Sequence, residues 1–542
     1  MCGIFLKITP LQSENQDDNK ENIDLVNFRG PDGFKTIDIE LNHVKLKMCC
    51  SVLNLRGNRD IVLQPIENDY GDVLFWNGEV WDGLEMAFFD NDTVQLMKAL
   101  SSPFTNIFDV MSHIYGPYSF KNKEKLWYGR DCLGRRSLLK QASLETNSSF
   151  HFLLSSVSNG DILWEEVPAN GLYCLDLSRV SENKFEEERI PYVHESSDLK
   201  GLYLKYPYPL MNMSLEPVGY ERLNMYVDEF YNILKHALYI RTMSIPLKSE
   251  NQPRLAILYS GGLDSSVLAK IIHEILPLNE PVDLLNVAFE DLRFSSEQKE
   301  KSSKNTSFDD VYNCPDRITG FNAYKELCEV TENQRPWRFV QINISRSELN
   351  SHKSTIIKLM HPNDTVMDFN ISMAFYFAAR GYGVLRYGDD SLVEYNSVAR
   401  LIFFSLGADE QLGGYSQHLK KYISGGWSEV INELSYNISR LSYRNLGRDD
   451  RVISHHGKEI RYPYLDENVV KFLCKLPVRG KMDFTIQNGE KLLLRKLCQK
   501  LGLIYPSKEK KRAIQFGSRS AKIGINIGKK VNGYDKLEKK CQ

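Results

Sequence analysis

No uncharged apolar run in this sequence comes near the ~20 residues needed to cross a bilayer, and the N-terminus has neither the basic leader nor the ~7–15-residue apolar core of a secretory signal. A cytoplasmic protein is therefore expected, with no membrane partner. An excess of positive charge is missing too. Lys plus Arg number 68 against 70 Asp plus Glu, a formal net charge of −2, which leaves no field to neutralise a phosphate backbone and excludes nucleic acid as the main ligand. The ten cysteines include no CxxC spacing for zinc or redox chemistry, and no GxxxxGK[ST] loop occurs. What the chain has is length and an ordinary globular balance. Its 542 residues suffice for two to four domains at about 100–200 residues each, and 42% hydrophobic with 25% charged residues excludes global disorder.

The texture changes along the chain. Up to about residue 180, short apolar runs (Ile4 to Ile8, Val44 to Leu55, Val73 to Trp76, Lys125 to Tyr128, Phe150 to Leu154, Gly171 to Leu175) recur between turn signals, which predicts an antiparallel, strand-rich layer. Residues 13–22 read as a polar surface loop and Tyr203 to Pro217 as a linker. Beyond about residue 220 the pattern alternates: an amphipathic helix over Asn224 to Ile240, an apolar strand over Leu255 to Tyr259, a helix over Ser266 to Ile275, then apolar strands over Val282 to Phe289 and Leu401 to Ser405. Apolar strands alternating with helices predict a parallel sheet covered on both faces. Asp291 to Asp310 and Asp389 to Ser397 read as surface insertions, and the Lys-rich tail after Lys529 as frayed.

Ser260-Gly261-Gly262-Leu263-Asp264-Ser265-Ser266 falls between a predicted strand and a predicted helix. Two glycines admit an anion close to the backbone, the serine hydroxyls and loop N–H groups donate to phosphate oxygens, and the helix N-terminus adds partial positive charge. An aspartate in such a loop makes sense when Mg²⁺ lies between Asp264 and the phosphates. A plain Gly-rich turn with a serine cap is the competing reading. A second acidic loop, Leu406-Gly407-Ala408-Asp409-Glu410, follows the third apolar strand. It emerges where open α/β sheets bind ligands, so Asp409 is a second candidate for the metal; a capping aspartate is the alternative.

Cys2 directly follows Met1. Once Met1 is removed, Cys2 carries a thiol and an α-amine whose pKa of about 7.7–8.0 lets it accept the thiol proton, the arrangement of an N-terminal nucleophile. Asn77-Gly78-Glu79 follows a strand; its Asn amide and Gly N–H suit an oxyanion and Glu79 suits a substrate ammonium. Arg29-Gly30-Pro31-Asp32 is a rigid turn, and Gly129 to Arg136 a turn braced by an internal ion pair.

The order MCGI, RGPD, NGE, GRDxxGxR, SGGLDSS, GADExxGGY and GxExRxPxLD (Gly457 to Asp466) resembles the glutamine-dependent asparagine synthetases over nearly the whole chain, and within them the divergent eukaryotic asparagine synthetase domain-containing proteins. The resemblance implies an α+β N-terminal nucleophile glutaminase domain of antiparallel β-sheet layers with helices, over 2–205 (glutamine amidotransferase type 2), then an α/β ATP pyrophosphatase domain with a parallel sheet, over 206–542. It implies Cys2 as nucleophile, Asn77 and Gly78 as oxyanion hole, and Glu79, Asp92 and Arg29 at glutamine. For ATP and pyrophosphate it implies Ser260, Gly261, Gly262, Asp264, Ser265, Ser266 and Lys491, with Asp264 and Asp409 on Mg²⁺. The implied substrates are glutamine, ATP and a carboxylate acceptor, aspartate first, which becomes asparagine.

Three departures fall in the acceptor half. The family's GEGSDE register reads Ser405-Leu406-Gly407-Ala408-Asp409-Glu410 here, so Leu406 stands where the family has a glutamate base. Met367 to Ser372 aligns with TTxRAS, placing Asp368 and Asn370 where substrate-contacting residues are expected. Cys50 to Leu55 lacks the glutamine-site arginine, for which Arg56 is the candidate substitute. Besides asparagine formation, two readings therefore stay open: the same chemistry on another carboxylate, and a degenerate homologue with a binding or regulatory role.

Overall fold

The computed structural model describes residues 2–11, 19–41, 44–57, 60–87, 90–102, 107–114, 118–122, 125–143, 151–180, 186–194, 201–247, 249, 251–291, 293, 308–386, 391–523 and 532–537. The chain forms two compact units: one of residues 1–207, 358–363 and 440–459, the other of residues 208–357, 364–439 and 460–542. Residues 440–459, which the sequence pattern assigned to the second domain, belong to the first. The reason is a charged helix, Gly447–Ser454, whose Arg448, Asp449, Asp450 and Arg451 are all buried and need buried partners.

In the first unit two sheets form. One has the order Glu165–Glu166, Leu139–Ser143, His151–Ser155, Cys2–Pro10, Val44–Val52, Gly33–Leu41, paired antiparallel throughout. Cys2 stands opposite Val52, which puts the second residue of the chain at the end of a central strand. The other sheet is antiparallel from Ile66–Glu67 to Glu187–Val193, with Leu204–Lys205 added in parallel. A shared core explains the pairing of sheets: Ile4, Leu6 and Ile8 from the first strand pack with Phe75, Leu126 and Tyr128 from the second sheet. The alternation of apolar residues at i, i+2 and i+4 along Cys2–Pro10 supplies that face.

The second unit is built on a sheet whose core is parallel: Trp337–Ile344, Val282–Phe289, Leu255–Leu258 and Leu401–Phe403, in that order. Tyr382–Arg386 and Leu392–Asn396 extend it antiparallel. Helices Tyr220–Met243 and Leu263–Ile275 stand where expected. Three expectations change. Leu392–Asn396, read as insertion, is an edge strand. Gly533 and Asp535, in the tail read as frayed, accept hydrogen bonds from Met367 and Val366 at the start of the helix Val366–Arg380, filling acceptor positions at an otherwise open helix end. Residues 13–18 and most of 291–310 lie outside the described residues; Lys20–Arg29, the end of the supposed polar loop, begins a helix.

Candidate functional sites

In the first unit the Cys2 backbone N–H donates to Asn77 Oδ1 at 3.1 Å. This contact orients the Asn77 amide, because its oxygen must face Cys2 and its nitrogen must then point away. Asn77 is buried, and its Nδ2 has no hydrogen-bond partner. An orphaned buried donor is costly unless a ligand satisfies it, and this one sits one amide width from the atom that holds Cys2. Gln64, unremarked in the sequence, donates through Nε2 to Cys2 Sγ at 3.4 Å and to Thr93 Oγ1 at 3.2 Å. Ser51 and Ser156 brace the next two backbone amides, Gly3 and Ile4, at 3.1 and 3.0 Å. The Cys2 thiol is lowered from its ordinary value by a hydrogen bond from Cys50, against the opposing effect of burial, while burial holds the Cys50 thiol well above its own. Cys50 therefore stays a donor.

The expected glutamine anchors split. Asp92 is buried and accepts the Val80 N–H at 3.0 Å; burial raises its carboxyl, with Arg56 opposing. Arg56 lies 3.8 Å from Glu79 and donates to the Val80 carbonyl. The structure thus gathers Glu79, Asp92 and Arg56, the candidate for the missing glutamine-site arginine. Arg29 goes elsewhere: its guanidinium is 1% exposed and pairs with Asp450 at 2.7 Å. A buried guanidinium demands a buried carboxylate, so Arg29 serves the ionic interior of the unit rather than direct contact with glutamine.

In the second unit a cleft is lined by Ser260, Gly262, Asp264, Ser265, Ser405 and Lys491, with Asp316 and the run Glu509 to Arg512. Gly261 has φ +74°, and Gly262 caps the helix Leu263–Ile275 without a side-chain hydrogen bond, so the first helical turn opens on the cleft with its N–H groups uncovered by a capping side chain. Lys491 Nζ reaches both Asp264 oxygens at 2.7 Å and Asp409 Oδ1 at 2.6 Å. Lys491 holds φ +53°, a left-handed conformation unusual for a lysine and set at the start of the helix Leu492–Lys500. Burial alone would raise Asp409, but Lys491 and Lys511 outweigh it and hold the carboxyl at about 2. Gly414 makes the approach possible, since a Cβ there would lie 1.9 Å from Asp409 Oδ1. Ser266, expected at phosphate, is fully buried and donates to Tyr259. Tyr464 of the GxExRxPxLD motif donates to the Asp264 carbonyl at 3.0 Å and accepts from Gln411 through its own carbonyl at 2.7 Å, bracing both loops.

Two carboxylates near enough to share one ammonium are near enough to share one divalent cation, whose remaining positions phosphate and water oxygens fill. Asp264 and Asp409 therefore fit Mg²⁺ as a nucleotide-bound ion; among the described residues no group of three or more His, Cys, Asp or Glu side chains forms a metal site independent of a ligand. Of the acceptor-half departures, Leu406 follows Ser405 at the cleft wall, whereas Asp368 exchanges hydrogen bonds with Thr365 as a helix cap, and Asn370 is buried within the helix Val366–Arg380. None of the three lines the cleft, although Leu406 is next in sequence to Ser405, which does. The basic run Lys508 to Arg512 was the available signal for the far wall, visible as charge without an assigned site.

The chain belongs to the asparagine synthetase domain-containing proteins, a divergent branch of the asparagine synthase family. The asparagine synthase model matches residues 413–513. Asparagine synthetase domain-containing protein 1 of Bos taurus is 35% identical over 99% of this chain and 98% of its own, the Homo sapiens protein of that name 34% over 100% and 97%, and the Mus musculus protein 35% over 96% of each. Among solved structures, the glutamine phosphoribosylpyrophosphate amidotransferase from B. subtilis aligns at 14% identity over 56% of this chain and 71% of that one, with a TM-score of 0.26, too loose a likeness to bear on the fold. No helix among the described residues is long and apolar enough to cross a membrane.

Proposed function

We propose that the protein is a glutamine-dependent amide-forming ligase that consumes ATP. The observation that carries this reading is the joining of Asp264 and Asp409, from two separate loops, through Lys491 in the cleft that the SGGLDSS loop lines. Neutralised carboxylates beside an uncovered helix N-terminus suit a triphosphate, and nothing in a passive scaffold requires them.

In the first unit the α-amine of Cys2 takes the thiol proton and the thiolate attacks the glutamine amide. The tetrahedral oxyanion meets Asn77 Nδ2 and the Gly78 N–H, a pair of fixed donors of the kind worth about 10²–10³ each in rate. Glu79 and Asp92 hold the substrate ammonium and Arg56 its carboxylate; the proton taken by the α-amine passes to the amide nitrogen, which leaves as ammonia as the thioester forms, and water then hydrolyses the thioester to glutamate. In the second unit a carboxylate attacks the α-phosphorus of ATP to give an acyl-adenylate and pyrophosphate. Lys491, with Ser260, Ser265 and the loop N–H groups, holds the leaving pyrophosphate. Mg²⁺, held by Asp264 and Asp409, would screen charge on the phosphates. Ammonia then displaces AMP from the acyl carbon, and aspartate yielding asparagine is the leading reaction.

A second acceptor is favoured by one observation: Leu406, next in sequence to Ser405 of the cleft wall, stands where the family has a glutamate. A panel of amino acids and other carboxylates, scored by glutamine-dependent pyrophosphate release, separates the readings. Release strictly dependent on aspartate supports asparagine formation, release with another carboxylate moves the acceptor, and ATP binding without release under any carboxylate returns the chain to a binding role.

A further inference from the structure

Amide formation leaves a proton on the incoming nitrogen that a base must remove, and Leu406 has no atom to accept it. Five other carboxylates stand in or beside the cleft: Asp264, Glu490 and Glu509 line it, and Asp409 and Glu410 belong to the acidic loop that follows Ser405. Asp264 and Asp409 are clamped by Lys491, and Asp409 also by Lys511. Glu490 accepts from Arg495 Nη2 at 2.5 Å, and Glu509 is partly exposed to water. Glu410, in the same acidic loop, is absent from the cleft lining and has both oxygens engaged, by Tyr415 and by the Gly407 N–H.

Asp316 differs from all of these. It lies in the first turn of the helix Pro315–Val330, lines the cleft, and is 6% exposed. Its ion-pair contact is Arg512 Nη1, a loose 3.6 Å away. The carboxylate is seated against the backbone of Gly517, where a Cβ would come within 2.0 Å of Oδ2, so its position is fixed by packing rather than by a tight ion pair.

We propose, building on the ligase reading above, that Asp316 is the catalytic base that deprotonates the nitrogen nucleophile. As ammonia attacks the acyl carbon, the N–C bond forms and the bond from that carbon to the phosphate oxygen breaks. AMP departs with the electron pair, and the surplus N–H proton passes to an Asp316 oxygen, which returns it to water. Burial pushes the Asp316 carboxyl up to about 7, with Arg512 and Lys511, the charged groups facing it, pulling it back. A group poised there is about half ionised at neutral pH and basic enough to accept a proton. A purely structural first-turn aspartate would gain nothing from such an environment, because the helix terminus favours its charged form.

The test uses the full chain with Mg²⁺, ATP, aspartate and ammonium chloride at fixed free-ammonia concentration from pH 6 to 9. Amide formation is followed beside aspartate-dependent exchange of labelled pyrophosphate into ATP. Asp316→Asn is expected to lower amide formation about 10²–10⁴-fold and to lower exchange far less. The parent protein is expected to lose rate below about pH 7, this variant to show no such loss, and Asp316→Glu to recover part of the rate. Equal losses in both half-reactions, or an unchanged pH profile in Asp316→Asn, would overturn the assignment. A parent protein that shows no exchange with any carboxylate of the panel overturns the ligase reading itself, and the base assignment with it.

Discussion

Cys2 and Lys491 illustrate what single residues contribute here and how far they could be read in advance. Cys2 and Asn77 were legible because their motifs are short and local; Gln64 and Asp316 were not, because each meets its site through contacts distant in sequence, Gln64 with Cys2 and Asp316 with Arg512. Asn77→Ala is expected to lower glutaminase kcat by about 10²–10³ with a smaller change in KM, since Nδ2 acts on the oxyanion and not on bound glutamine. Lys491→Met leaves Asp264 and Asp409 facing each other without their shared cation. Pyrophosphate release should fall at least as far, and excess Mg²⁺ should recover part of it. Asp316 also predicts a stability profile. Its folded value of about 7 lies above the unfolded value of about 3.9, so the folded state binds the extra proton between them and loses stability as pH rises through 7. Asp316→Asn should therefore melt higher than the parent protein at pH 8, by at most about 4 kcal/mol, and show no such gain at pH 4. A variant equally stable at both pH values contradicts that account.

Among the elements, the loops around the cleft depend on close backbone approach. Gly414→Ala would drive a Cβ into Asp409 and Lys491 Cε, at 1.9 and 2.3 Å, and the expected result is loss of ATP binding, by calorimetry, in a chain that still melts cooperatively. The strands Leu255–Leu258 and Leu401–Phe403 could be read because they are short and fully apolar, and Val282–Phe289 because apolar residues dominate it around Asp283 and Asn286. Trp337–Ile344 escaped notice because Arg338, Gln341 and Asn343 interrupt it. Those polar positions have partners that only the fold supplies: Arg338 donates to Tyr395, while Gln341 and Asn343 accept from Arg317. Leu392–Asn396 was hidden for a related reason, since edge strands are commonly polar and exposed.

On the scale of the whole molecule, the chain divides into two compact units, and charge explains why residues 440–459 go with the first. Asp450, fully buried, receives Arg29 at 2.7 Å, Arg136 at 3.5 Å and the Ser137 N–H at 3.0 Å; Arg136 also pairs with Glu459 at 3.2 Å. Each member is far from most of its partners in sequence, so periodicity had no way to assign Gly447–Ser454 to the first unit. Asp450→Ala strands two buried guanidinium groups and should destabilise that unit by about 3–5 kcal/mol, measured as a lowered denaturation midpoint with glutaminase activity lost alongside structure. The family motifs run from Cys2 to Lys491 through both units, and a working enzyme must couple them chemically. The most direct test is to supply glutamine labelled with ¹⁵N at the side-chain amide together with ATP, Mg²⁺ and aspartate, and to follow the label and the nucleotide products. The account predicts AMP and pyrophosphate with ¹⁵N in a new amide, and loss of that labelling in Cys2→Ala while unlabelled ammonia still supports the reaction. Formation of ADP and phosphate, or labelling unaffected by Cys2→Ala, would contradict it.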